Sequence, residues 1–293
     1  WIGIDLGGTY IKAIALDGDR NPTKTLQLKT PGDRDGVVAQ MTEAARELMQ
    51  REGLDAGTVR GVGIGSPGPL DISNGVILGT PNIPGMAGCR IRDRIAEGLS
   101  LPAILENDAN AAAFGEYLCG AGGGSDMVLL TLGTGLGSGI VVDGRVLHGV
   151  HEIGAEFGHM IVVPEGEACG CGQRGCLERY CSATYIALLA TREIRENGRD
   201  SSLRKELDDK GEIDARDINE ARKAGDELAT EIWDRGTYYL ALACVNICRI
   251  LDPDRIVFGG GMAKAGEDLM EPVQAHFVRM HWDLTEQRTT LSL

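Results

Sequence analysis

The feature that most constrains the fold is a segment that occurs twice in the sequence. Residues 5–18, DLGGTYIKAIALDG, align with residues 131–144, TLGTGLGSGIVVDG, so that Leu, Gly, Ile, Asp and Gly recur at matching positions. Both copies contain an apolar run, a glycine-rich turn and a second apolar run, which is the pattern of a β-hairpin. The repetition therefore predicts two halves with similar folds.

Apolar periodicity extends this division across the 293 residues. The first half has predicted strands near 1–7, 10–17, 23–30, 61–65 and 103–106, a helix near 35–52 and an alanine-rich helix that ends near Gly120. The second half has predicted strands near 127–133 and 255–258 and long helices near 182–197 and 226–250. The charged stretch 204–217 is interpreted as a solvated helix pair or a loop. We expect an α/β protein with two domains, 1–120 and 121–293.

Glycine-rich turns are the candidates for phosphate binding. The candidate residues are Gly7, Gly8 and Thr9, their counterparts Thr131, Gly133, Thr134 and Gly135, and the later cluster Gly259, Gly260 and Gly261. Small side chains let backbone N–H groups approach an anion closely. Because neither GxxxxGK(S/T) nor a GxGxxG in a strand–turn–helix context occurs, we expect a different nucleotide-binding geometry. Asp5, at a strand end, is expected to orient Mg²⁺ through water, and Lys12 faces either phosphate or solvent.

A histidine and three cysteines have the spacing of a metal site. The four residues are His159, Cys169, Cys171 and Cys176. A closed, thiolate-rich set of four ligands is typical of structural zinc. The alternative is a disulfide beside an unrelated histidine, but Cys-Gly-Cys does not easily bridge internally and nothing indicates an oxidising compartment. The remaining cysteines are expected to be buried, reduced thiols: Cys89, Cys119, Cys181, Cys244 and Cys248.

Asp108 is the candidate general base. It lies in ENDAN, where a predicted strand ends and a helix begins, and partial positive charge on the backbone amides there favours an ionised carboxylate. The alternative is an ordinary helix cap, a role that aspartate often has. Glu156 and Glu178 bracket the predicted zinc site, and carboxylates with fixed orientation suit a ligand rich in hydroxyl groups.

Charge and hydropathy exclude several classes of partner. The formal net charge of −14 disfavours binding to phosphate backbones and anionic bilayers. The sequence has no apolar run long enough to cross a bilayer, and no charged and apolar leader precedes Trp1. We therefore expect a cytoplasmic protein that binds neither nucleic acid nor membrane.

Together these motifs carry a family resemblance. DLGGT, ENDANAAAFGE, TLGTGLGSG, the segment from AEFGH to CGCGQRGCLE and the late FGGG resemble the ROK family of sugar kinases and repressors, within the actin-like ATPase superfamily. The resemblance covers nearly the whole chain and is closest to the glucose kinases of the family. It implies two actin-like (ribonuclease H-like) domains with mixed sheets flanked by helices. These domains close over ATP and a hexose, commonly in a homodimer.

The resemblance also implies a reaction and roles for single residues. Asp108 matches the catalytic aspartate, which takes a proton from the 6-hydroxyl of glucose while the γ-phosphoryl group of ATP is transferred. The family's sugar contacts match Gly68, Asn82, Asn107, Asp108, Glu156, His159 and Glu178. His159 is expected to bind zinc through one ring nitrogen and a sugar hydroxyl through the other. Gly68 and Asn82 lie in Pro-Gly and Pro-Asn pairs, which also form ordinary turns.

Other functions within and beyond this family stay open. Kinases for N-acetylmannosamine, mannose, fructose and allose share the motifs, so the motifs do not separate these sugars. A sugar-responsive repressor needs a DNA-binding module of about seventy residues ahead of the first strand. Since that strand is expected to begin at residue 1, we favour the kinase. An actin-like filament or chaperone ATPase has no reason to carry the zinc site beside sugar-binding carboxylates.

Overall fold

The computed structural model describes residues 1–80, 83, 85–282 and 284–293. The chain divides into two compact units. Unit 1 comprises Trp1–Ala112 and His148–Gly154, and unit 2 comprises Ala113–Leu147 and Ala155–Leu293. Unit 1 thus includes a short segment from the second half of the sequence. The expected domain boundary at residue 120 stays a prediction.

The sheet of unit 1 has the strand order β3-β2-β1-β4-β7. The strands of this unit are β1 (Ile2–Leu6), β2 (Tyr10–Ala15), β3 (Leu26–Lys29), β4 (Val62–Ser66), the separate hairpin β5 (Leu70–Asp71) and β6 (Val76–Ile77), and β7 (Ala103–Asn107). β2 pairs antiparallel with β1 and β3, whereas β4 pairs in parallel with β1 and β7. Parallel pairing brings the carboxyl ends of β1, β4 and β7 to one edge of the sheet, where ligands bind in open α/β sheets.

Helices cover the sheet of unit 1. They are α1 (Arg34–Arg51), α2 (Ile91–Leu99) and the start of α3 (Asp108–Cys119). The Asp33 side chain caps α1 by accepting a hydrogen bond from Gly36 N. Val38, Met41 and Leu48 of α1 are buried as its helical periodicity predicts. α2 was not predicted, because its nine residues contain only three buried apolar positions.

The sheet of unit 2 repeats the topology of the first. Its order is β10-β9-β8-β11-β12, with the same succession of antiparallel and parallel pairs. The strands are β8 (Met127–Leu132), β9 (Leu136–Val142), β10 (Arg145–Val146), β11 (Arg255–Gly260) and β12 (Thr290–Ser292). The turns at 7–9 and 133–135 occupy equivalent positions between the first two strands of each sheet. The predicted duplication of the hairpin and the α/β fold class are confirmed.

Helices make up most of the rest of unit 2. They are α4 (Glu178–Cys181), α5 (Ala183–Arg195), α6 (Leu203–Lys210), α7 (Ala215–Lys223), α8 (Glu227–Leu251) and α9 (Glu267–Met280). The charged stretch 204–217 forms a helix pair, and Leu203 and Leu207 pack into the core of unit 2. In the described part of the chain, no helix has both the length and the apolar character needed to span a bilayer.

The cysteines outside the predicted zinc site are free thiols. Cys89, Cys181, Cys244 and Cys248 are buried, as predicted. The prediction was wrong for Cys119, which is exposed because it is the last residue of α3.

Candidate active site

The first glycine turn joins β1 to β2 at the carboxyl end of the unit 1 sheet. Gly7 N donates a hydrogen bond to Tyr10 O at 3.1 Å, and Thr30 Oγ1 donates to Gly7 O at 2.7 Å. A Cβ on Gly7 would lie only 2.8 Å from Tyr10 O, so the turn excludes a side chain there. Gly8 and Thr9 are exposed. The turn therefore presents backbone and one hydroxyl to a ligand.

Asp5 and Lys12 lie beside this turn. Asp5 is in register with Lys12 on β2 and with Gly65 on β4. Lys12 Nζ lies 3.4 Å from Asp5 Oδ2, and both side chains are about half exposed, at 51% and 49%. The sequence left the direction of Lys12 open, and the structure pairs it with Asp5. An exposed pair of this kind is weak, so Lys12 can turn to another anion at little cost.

Asp108 is the first residue of α3 and directly follows β7. Its Oδ1 accepts a hydrogen bond from Ala109 N at 2.8 Å, and a Cβ on Gly65 would lie 3.8 Å from Asp108 Cα. Solvent reaches Asp108, but the surrounding protein reduces the hydration of its carboxylate. This desolvation, and to a smaller extent the negative charge of Asp5, raises the pKa of Asp108. An accessible carboxylate with a raised pKa suits a general base.

Asn107 takes the helix-capping role that the sequence left open for Asp108. Asn107 Oδ1 accepts hydrogen bonds from Ala109 N at 3.0 Å and Asn110 N at 3.1 Å, the pattern of an N-cap. Its amide nitrogen faces the other way, and a Cβ on Gly68 would lie 3.9 Å from Asn107 Nδ2. Unit 1 thus brings Gly68, Asn107 and Asp108 together. Asn82, another expected sugar contact, lies outside the described residues.

Sequence reasoning missed two residues that contact this segment. Glu106 Oε1 accepts hydrogen bonds from Asn107 N at 2.9 Å and Asn110 Nδ2 at 3.1 Å. Glu106 Oε2 lies 2.8 Å from Nε2 of His148, which belongs to the 148–154 segment of unit 1. The position of Glu106 next to Asn107 was a signal that could have found it. Nothing local marked His148, because the contact spans 42 residues of sequence.

The second glycine turn lies at the carboxyl ends of β8 and β11 in unit 2. Thr131 is in register with Gly259, and Gly133 N donates to Gly135 O at 3.0 Å. Gly260 has φ +86°, and a Cβ on it would lie 2.5 Å from Leu132 O, so no other residue fits without strain. The strand pairing brings the two predicted glycine clusters to one sheet edge: Thr131, Gly133, Thr134, Gly135, Gly259, Gly260 and Gly261.

The predicted metal ligands also meet in unit 2. The ligand atoms of His159, Cys169, Cys171 and Cys176 all lie within 4.8 Å of one another. Cys169 Sγ is 3.7 Å from His159 Nδ1, and Cys171 Sγ is 3.6 Å from Cys176 Sγ. Ligands at about 2.3 Å from a tetrahedral zinc ion are separated by about 3.8 Å. Since Nδ1 of His159 faces the cluster, Nε2 is the ring nitrogen that faces away from it.

The ionisation of the three thiols also fits a divalent cation. Burial raises the pKa of Cys169 and of Cys176. Burial opposes ionisation of Cys171 too, but hydrogen bonds from the backbone and side chain of Gln173, together with those from Cys169 and Cys176, lower its pKa to about 7. Ionising all three neighbouring thiols would therefore need a compensating positive charge, which a bound Zn²⁺ ion would provide.

The ROK family model matches residues 1–289. The chain belongs to the ROK family. It is 38% identical over 281 residues to the glucokinase of Halalkalibacterium halodurans, covering 94% of this chain and 84% of that one. The ROK hexokinase of Thermus thermophilus superposes with a TM-score of 0.82 at 32% identity, over 99% of this chain and 91% of that one. The ROK glucokinase of Streptomyces griseus, solved with glucose and AMPPNP, has a TM-score of 0.82 at 32% identity, over 99% and 93%.

The ROK relatives confirm the predicted fold class, because these structures share the actin-like ATPase fold with mixed sheets and flanking helices. The positions that the family motifs singled out in this ROK protein fall into two groups. Unit 1 holds Asp5, Gly7, Gly8, Thr9, Lys12, Gly68, Asn107 and Asp108. Unit 2 holds the second glycine turn and the cysteine–histidine cluster.

Glu178 lies between the cluster and the second glycine turn of the ROK chain. Its Oε1 is 3.0 Å from Cys169 Sγ, and its Oε2 is 3.5 Å from Leu136 N. A Cβ on Gly135 would lie 2.7 Å from Glu178 Oε2. Glu156 is exposed and precedes the short 3₁₀ turn Phe157–His159, with its carbonyl accepting a hydrogen bond from His159 N at 3.0 Å. Glu178 thus lies close to both the cysteine–histidine cluster and the second glycine turn.

Proposed function

We propose that this protein is an ATP-dependent hexose kinase that transfers the γ-phosphoryl group of ATP to the 6-hydroxyl of glucose. The observation that carries the proposal is the accessible carboxylate of Asp108, with its raised pKa, next to the capped amide of Asn107. Phosphoryl transfer to an alcohol needs a proton acceptor beside the hydroxyl and donors around the phosphates, and little covalent chemistry from the protein. Membership of the ROK family supports the same reaction.

On the acceptor side, Asp108 would take the proton of the attacking hydroxyl. Asn107 would donate from its amide nitrogen to a neighbouring hydroxyl, since its oxygen is used by the helix cap. The cap fixes the rotamer of Asn107 before the sugar binds, which reduces the entropy lost on binding. Glu156, Glu178 and Nε2 of His159 would supply further hydroxyl contacts. Gly68 would leave the side of the sugar next to Asn107 uncrowded, and the sugar contact expected of Asn82 stays a prediction.

On the donor side, the two glycine turns would bind phosphate through backbone N–H groups. Lys12 would turn from Asp5 to a phosphate oxygen, because its present pairing is weak and exposed. Mg²⁺, when bound with the nucleotide, neutralises phosphate charge. Asp5 would then accept hydrogen bonds from water of the Mg²⁺ shell. Gly259, Gly260 and Gly261 would leave room for the nucleoside.

Zinc belongs to the proposal as a structural ion. His159, Cys169, Cys171 and Cys176 would hold it, and when bound it fixes the tautomer of His159 with the proton on Nε2. This Nε2–H group would then donate to a sugar hydroxyl. The expected homodimer and cytoplasmic location stay predictions.

A coupled assay of the purified protein with ATP and a sugar panel tests the proposal. The panel contains glucose, mannose, fructose, allose, N-acetylglucosamine and N-acetylmannosamine. We expect the highest kcat/KM with glucose and a 6-phosphate product. Faster turnover of another sugar would support the kinase activity but assign it a different substrate. ATP hydrolysis that is independent of every sugar would overturn the proposal.

A further inference from the structure

Glu106 accepts two hydrogen bonds from the segment that bears Asp108. Its Oε1 accepts from Asn107 N and from Asn110 Nδ2, so it contacts residues on both sides of Asp108. Asn110 is buried, and its Oδ1 has no hydrogen-bond partner in the part of the chain that the structure describes. The bond to Glu106 is therefore what orients the Asn110 amide within the first turn of α3.

His148 supplies the third hydrogen bond to the same carboxylate. Its Nε2 lies 2.8 Å from Glu106 Oε2, and the two side chains are 32% and 20% exposed. His148 begins the 148–154 segment, and the other end of that segment is held by Glu152. The Glu152 carboxylate accepts hydrogen bonds from Ile72 N at 2.7 Å and from Ser73 N and Oγ. Gly154 N also donates a hydrogen bond to His148 O at 2.8 Å, which closes the segment on itself. Because Glu152 and this bond hold the segment, His148 is presented to Glu106 in a defined position.

We propose that Glu106 and His148 form a positioning pair for the general base, an inference that rests on the proposed function. With His148 as donor, Glu106 is fixed by three hydrogen bonds, and it fixes the backbone before Asp108 and the side chain of Asn110 after it. Without His148, Oε2 loses its partner and Glu106 regains rotamer freedom. The Asp108 carboxylate then loses its alignment with the hydroxyl that it deprotonates. A displacement of about 1 Å costs roughly 10²-fold in rate.

The pair reaches the reaction through the backbone of Asn107 and through Asp108, and the helix cap still holds the Asn107 side chain without it. Its effect therefore falls mainly on kcat. We expect loss of His148 to leave the two glycine turns and the other proposed hydroxyl contacts unchanged. We therefore expect His148→Phe, which keeps a ring but removes the donor, to lower kcat by about tenfold to a hundredfold. The KM for ATP and the calorimetric Kd for glucose should stay within about threefold of the parent values. A merely structural role would not separate kcat from binding in this way.

Rescue and a matched control complete the experiment. His148→Gln keeps an N–H donor at similar reach, and its kcat should recover to within about threefold of the parent value. His151→Phe is the control, because His151 is an exposed histidine in the same segment, and it should leave kcat unchanged. If His148→Phe does not fold, as judged by thermal melting, Glu106→Leu and Glu106→Gln make the same comparison from the other side of the pair.

Three results would overturn the pair. They are a His148→Phe kcat within twofold of the parent value, a His148→Gln kcat no higher than that of His148→Phe, and an equal loss in His151→Phe. Failure of the proposed function is seen separately in the parent protein. If the parent protein phosphorylates no sugar of the panel, both the proposed kinase activity and the positioning pair are overturned.

Discussion

At the scale of single residues, the carboxylate of Asp108 is suited to catalysis at a cost to stability. Its pKa is raised by desolvation and by Asp5, so folding disfavours its ionised form. An aspartate with a raised folded pKa destabilises the folded state at pH values above that pKa, and the penalty disappears as pH falls below the ordinary pKa. Asparagine can keep the hydrogen bond from Ala109 N without the charge.

We therefore predict that Asp108→Asn increases the free energy of unfolding at pH 7. The gain should be small, because solvent still reaches the side chain, and it should shrink towards zero as pH falls through the pKa of the parent carboxyl group. Urea unfolding of both proteins between pH 7 and pH 3 measures the difference. A variant that is less stable than the parent at pH 7 would contradict this account of Asp108.

Gly260 offers a second test at the residue scale. Its φ of +86° and the 2.5 Å separation between a built Cβ and Leu132 O both exclude a side chain. We predict that Gly260→Ala lowers the free energy of unfolding by about 1 to 3 kcal/mol. Gly133→Ala is the matched control, since a Cβ there meets nothing within 4 Å, and it should cost less than about 0.5 kcal/mol. Equal stabilities of the two variants would show that Leu132 O does not impose glycine at position 260.

At the scale of elements, the cysteine–histidine cluster links the 3₁₀ turn Phe157–His159 to the loop before α4. We predict one bound zinc per chain in purified protein. Cys176→Ser should lose the ion and lower the melting temperature by roughly 5 °C or more, because zinc binding is coupled to folding. Cys119→Ser, which changes an exposed thiol outside the cluster, should keep both. Elemental analysis and thermal melting measure the outcome, and zinc retained by Cys176→Ser would contradict the ligand set.

Elements with strong local signals were predictable from the sequence. α1 and α8 have apolar periodicity over many turns, and they begin within a residue of the predicted starts. The spacing of the cysteines in the metal cluster was equally local. By contrast, α9 was missed, and it contains Pro272, which argues against a helix in a sequence pattern.

Contacts between distant elements could not be predicted from the sequence. The pairing of Lys12 with Asp5 depends on the β1–β2 register, and that of His148 with Glu106 depends on where the 148–154 segment lies in unit 1. A single sequence specifies residue types but not which long-range partners meet. The motif ENDAN identified Asp108 as the candidate base, whereas only the structure showed that Glu106 and His148 meet beside it.

At the scale of the whole molecule, one topology is used twice with different chemistry. The two sheets have equivalent strand orders, and where Asp5 is opposite Lys12 in the first hairpin, Thr131 is opposite Gly137 in the second. The second half has lost both charges of this pair. It carries the metal cluster instead, in the sequence between β10 and α4. The repeated hairpin therefore accounts for the two glycine turns, and the differences account for a proposed base in the first half and a proposed zinc site in the second.

The most direct test of the central claim is a single-turnover measurement with radiolabelled ATP and glucose. Parent protein and Asp108→Asn are mixed with both substrates, and labelled glucose 6-phosphate is followed over time. We predict that the parent transfers the label and that the variant does so roughly 10² to 10⁴ times more slowly while binding glucose with similar affinity. Transfer by the variant at a rate within threefold of the parent rate would contradict the role of Asp108 as the general base.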